Sequence, residues 1–70
     1  MGEIIKNFGT ITIADSNIDF ELNKPHAKGA PNSVHIQSDK MRIEMNEKEF
    51  LKLSLTVLEA EKKLKKMKGL

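Results

Sequence analysis

Few side chains in this 70-residue sequence can move protons, attack carbon or hold metal. His26 and His35 are its only histidines, and there is no cysteine, so thiolate nucleophiles, thiolate metal ligands and disulfides are all excluded. His35 falls on the polar side of an alternating segment. It would approach Asp19 or Glu21 if their strands were neighbours, and such a set binds metals. No motif spacing links the three, so the expectation is a solvated histidine on an open sheet face, with no metal and no other cofactor. His26, between Lys24 and Lys28, reads as an exposed loop residue. Ser16, Ser33 and Ser38 read as turn residues, and no G-x-S-x-G elbow is present. Asp19 and Glu21 stand two apart, as solvation of a strand face requires, and a carboxylate dyad would need a sheltered cleft. The glycines at 2, 9, 29 and 69 are too scattered for a phosphate loop or dinucleotide fingerprint. The sequence therefore reads as non-catalytic.

Basic residues offer a second chemistry. Lys24, His26 and Lys28 lie in an acid-free loop, and with Lys40 and Arg42 they are the candidate phosphate contacts. Residues 59–70 carry a net charge of +3, against −1 for the rest. Against nucleic acid stand the absence of Trp and Tyr, since single-strand binders stack bases on aromatics. Phe8 is uncommitted, and Phe20 and Phe50 read as core. The open face would hold Asp19, Glu21 and Glu44 against Lys40 and Arg42, which is net acidic. The lysine-rich end also serves simply as complement to a helix dipole.

Positioning these residues falls to elements with two different periods. Ile11 and Ile13 alternate with threonines. After the turn formers Ala14, Asp15, Ser16 and Asn17, Ile18, Phe20 and Leu22 alternate with Asp19 and Glu21. Such alternation predicts strands with one buried face, here a hairpin. Asn7, Phe8 and Gly9 suggest a bulge in the first strand. Residues 23–33, with Pro25, Gly29 and Pro31, read as an exposed, mobile loop. A second hairpin follows, with Val34 and Ile36 on one arm, a turn at Ser38-Asp39, and Met41, Ile43 and Met45 on the other.

At Asn46 the period changes to that of a helix. Asn46 and Glu49 form a capping-box pattern, Glu47 and Glu49 suit the positive end of the dipole, five lysines suit the negative end, and Gly69 is a stop. The prediction is a single α+β domain over residues 1–70. A four-stranded antiparallel sheet of two hairpins fills 1–45, and a long amphipathic helix over 46–69 packs on one face.

Phe50, Leu53, Val57, Ala60, Leu64 and Met67 make the stripe expected to lie on the sheet. Leu51, Leu55 and Leu58 form a second flank with nothing left to cover it. The helix would span about 33 Å against about 20 Å for a six-residue strand, so its last turns should overhang. A lone core at this size is marginal. The expectation is thus a homodimer whose interface holds Leu51, Leu55, Leu58, Leu64 and Met67. The longest apolar runs are two residues, so neither a signal peptide nor a membrane span is expected. A cytoplasmic protein is the default.

The stretch from Met41 to Phe50 is an amphipathic strand running into a capped helix with an aromatic in its first turn. After four antiparallel strands, this resembles the layout of the positive-cofactor-like and Pur-like single-strand nucleic-acid binders. That resemblance implies a dimer paired through the helix and a nucleic-acid partner. Two functions are therefore expected in order. The first is a small dimeric interaction or accessory module with an unidentified protein partner, and the second is a single-strand nucleic-acid binder.

Overall fold

The computed structural model describes residues 4–25 and 27–69. Four strands form one antiparallel sheet in the order β1-β2-β3-β4: β1 (Ile4–Ile13), β2 (Ser16–Asn23), β3 (Ser33–Gln37) and β4 (Arg42–Asn46). The helix α1 (Glu47–Lys68) follows. This is the expected α+β architecture.

The first turn is tighter than its composition suggested. Ala14 (φ 50°) and Asp15 (φ 64°) make a two-residue loop in which both residues have positive φ, as a type I′ turn requires. Ser16 and Asn17, expected in the turn, therefore belong to β2, opposite Ile13 and Thr12. The Thr12 hydroxyl donates to Asn17 Oδ1 at 2.8 Å across the pair. The bulge expected at residues 7–9 is present, and a second register shift lies between Ile4 and Lys6. Asn7 Oδ1 accepts from the Gly9 amide at 2.8 Å and holds the bend.

The second hairpin closes through residues 38–41 rather than Ser38-Asp39 alone. The Ser38 amide donates to the Met41 carbonyl at 2.8 Å, while the Ser38 hydroxyl accepts from the Lys40 and Met41 amides. Lys40 consequently lies in the turn and not on β4. The loop expected over 23–33 is shorter at both ends. Asn23 is buried at the end of β2 and Ser33 is half-buried at the start of β3.

Leu22 faces Val34, Phe20 faces Ile36, and Val34 and Ile36 face Met45 and Ile43, so one side of the sheet is apolar. Among the described residues the buried hydrophobics are Val34 and Ile36 alone. The rim of that face, including Ile11, Ile13 and Ile43, stays exposed.

α1 begins with the expected capping box. Asn46 Oδ1 accepts from the Glu49 amide at 2.8 Å, and Glu49 Oε1 accepts from the Asn46 amide at 2.9 Å. Gly69 ends the helix in the left-handed region at φ 73°. The expected seating of the whole apolar stripe on the sheet is not found. Phe50 alone of that stripe is half-buried, and no helix residue is buried. Asn46 is both the last residue of β4 and the cap of α1, so the helix starts at the sheet and meets it in its first turn through Phe50, against Phe8 and Phe20. Beyond that turn the helix projects. The radius of gyration is 14.5 Å, whereas a compact domain of this length has about 11 Å.

Candidate interaction surface

The polar side of the sheet is built around β3. His35 is flanked in register by Glu21 on β2 and Glu44 on β4, with Ser33 and Gln37 two residues away on its own strand. Its proximity to Glu21, raised by the sequence, is thus present. Its expected solvation is not, because only 3% of the residue is exposed.

Long neighbours explain this. Arg42 Nη2 lies 3.0 Å from His35 Nδ1 and 3.4 Å from Nε2. A donor approaching one ring nitrogen in the plane would leave the other far away, so the guanidinium must lie over the ring face, a stacking that arginine favours. His35 Nε2 is 3.3 Å from Glu44 Oε2 and 3.3 Å from Ser33 Oγ. Glu21, 7% exposed, accepts from Gln37 Nε2 at 2.9 Å.

Serine, histidine and carboxylate therefore meet, but not as a relay. A nucleophile triad puts the serine on one ring nitrogen and the carboxylate on the other. Here both stand at Nε2, and Nδ1 is under the arginine. Among the described residues no group of three His, Cys, Asp or Glu is arranged to hold a metal ion.

The apolar side is different, because it is unfinished. The bulge turns Phe8 towards α1, where its ring stacks on Phe50 with centroids 5.8 Å apart and planes 25° apart. Phe20 meets Phe50 edge-on at 6.3 Å. Beside this trio the helix diverges from the sheet and leaves an open groove of about 340 Å³, lined by Phe8, Leu22, Val34, Phe50 and Leu51, with Glu47 at its polar edge. From the groove outward the apolar residues of the helix stand clear of the sheet, from Leu53 at 37% exposed to Met67 at 84%.

Of the candidate interface residues, Leu51 borders the groove, and Leu55, Leu58, Leu64 and Met67 lie exposed along the free length of α1. Sequence reasoning missed Phe8 and the groove. Gly9 in an alternating strand signalled the bulge, but not which way the bulge would turn the ring.

The candidate phosphate contacts do not form one patch. Lys24 and Lys28 are exposed in the segment joining β2 to β3, at one end of β3, and Lys40 is exposed in the turn at its other end. A five-residue strand separates them by about 17 Å. Arg42 is engaged over His35, and His26 lies outside the described residues. Among the described residues no helix is long and apolar enough to cross a membrane. The chain matches no family model, no curated protein and no solved structure.

Proposed function

We propose that the chain is a non-catalytic interaction module that works as a homodimer, paired through the apolar length of α1, and that presents its polar sheet face to a protein partner in the cytoplasm. One observation carries the reading. A 22-residue helix with no buried side chain extends from a sheet in which two hydrophobic residues are buried. Helices owe most of their stability in proteins to packing of an apolar face, and contiguous exposed apolar surface of this extent marks an interaction site. A second copy supplies the missing cover by the simplest closed symmetry.

Sedimentation equilibrium tests it. The wild type should run at twice the 7.9 kDa chain mass, and Leu64→Lys or Met67→Lys should shift it towards one chain. If both variants sediment as dimers, the pairing does not use this helix face. A folded wild type of single-chain mass at high dilution refutes the whole reading.

Single-strand nucleic-acid binding is the runner-up. Favouring it is the meander of four strands followed by a terminal helix, which is the layout the resemblance implies. The separation of Lys24 and Lys28 from Lys40 counts against it. A labelled single-stranded oligonucleotide at about 50 mM salt decides, since phosphate contacts strengthen as salt falls. Salt-sensitive binding lost on Lys24→Ala with Lys28→Ala would promote this reading over the first.

A further inference from the structure

Given the homodimer proposed above, on which this step rests, we infer that the two α1 helices pair antiparallel, each placing its lysine-rich end beside the acidic start of its partner. The seam is Phe50, Leu53, Val57, Ala60, Leu64 and Met67, spaced by three and four in strict turn. That is the heptad spacing which lets two helices interlock with a small left-handed crossing. Phe50 opens the seam at the sheet, and the five residues after it stand on the free length of the helix.

Charge settles the direction. In an antiparallel pair, layers form between residues whose numbers sum to a constant, Phe50 with Met67, Leu53 with Leu64 and Val57 with Ala60 of the second copy. The positions flanking the seam then set Glu47 beside Lys68 and Ser54 beside Glu61 across the interface. In a parallel pair the flanking positions would instead set Lys63 beside Lys68 on both edges, and no Glu–Lys contact would result. Like charges at such positions destabilise, and opposite ones determine orientation. The helix dipoles agree. Glu47 and Glu49 occupy the first turn and Lys65, Lys66 and Lys68 the last, so antiparallel packing brings opposite ends together.

Bulk agrees as well. Each sheet sits at the start of its helix, so an antiparallel pair keeps the two sheets at opposite ends, where a parallel pair would crowd them. In that arrangement the partner's Leu64 and Met67 arrive at the groove beside Phe50 and Leu51, with the partner's Lys68 at its Glu47 edge.

The absence of cysteine makes the test direct. A disulfide needs Cα atoms within about 7 Å, which 53 and 64 do not satisfy within one helix. Leu53→Cys with Leu64→Cys should oxidise to a covalent dimer as the main product. Leu53→Cys alone, whose cysteines would face each other only in a parallel pair, should remain a single chain on a non-reducing gel. The reverse pattern, or equal cross-linking in both, overturns the antiparallel assignment. A wild type that sediments as a dimer while neither variant cross-links also overturns it but leaves the dimer standing. A wild type of single-chain mass removes the dimer and this inference together.

Discussion

Covering a histidine on the open face of a single sheet takes long neighbours, and His35 has them on every side. The Arg42 guanidinium lies over the ring, and the Glu44 carboxylate and Ser33 hydroxyl meet its Nε2 edge. Removing the imidazole would uncover the centre of β3 and leave Glu44 and Ser33 without that partner. His35→Ala should therefore cost about 2 kcal/mol, read from urea denaturation at fixed protein concentration. A solvated histidine would cost close to nothing. Phe50 is the corresponding residue on the other side. Its ring joins β1, β2 and α1 through Phe8 and Phe20, so Phe50→Ala should cost about 3–4 kcal/mol. Phe50 was legible as core, though its contact with Phe8 was not, and the cover over His35 was not legible at all. His35 looked solvated because alternation says which face a side chain takes, while strand order and neighbour length decide how deeply it sits.

At the scale of elements, the parts legible in the sequence were those fixed by neighbours a few residues away. The capping box at Asn46, the stop at Gly69 and the bulge at residues 7–9 each depend on contacts of two to four residues, and each is present. Asn46→Ala should lower stability by about 1 kcal/mol and reduce helicity at 222 nm, because the Glu49 amide loses its side-chain acceptor. The ends of β2 and β4 were misplaced for a related reason. Ser16 and Asn17 are turn formers by type, yet a two-residue turn at Ala14-Asp15 had already reversed the chain. Alanine is an uncommon choice for a left-handed position, where asparagine is tolerated. Ala14→Asn should accordingly raise the melting temperature, and an unchanged or lower value would contradict the positive φ.

For the molecule as a whole, what governs shape is one peptide bond, the junction between β4 and α1. Amphipathicity and length predicted a helix with an apolar stripe on the sheet and last turns that overhang it, but not where it would leave the sheet. With no residue between strand and helix, α1 meets the sheet only in its first turn, through Phe50, and the rest of the stripe remains outside. Here the sequence was silent, since periodicity carries no information about the angle at which two elements meet. A dimer stabilised by that surface must have a melting temperature that rises with protein concentration. Thermal unfolding across a hundredfold range of concentration checks this, and a constant value would mean that one chain folds by itself.

The two register shifts in β1 carry a consequence beyond aiming Phe8. β1 is an edge strand, ten residues long and rich in exposed isoleucine, which is the profile of a template for amyloid-like stacking between molecules. Register shifts bend and twist the strand that carries them, which disfavours the flat, unbroken run of amides and carbonyls that growth of a fibril needs. The irregularity that shapes the inside of the molecule thus also works against stacking on its outside.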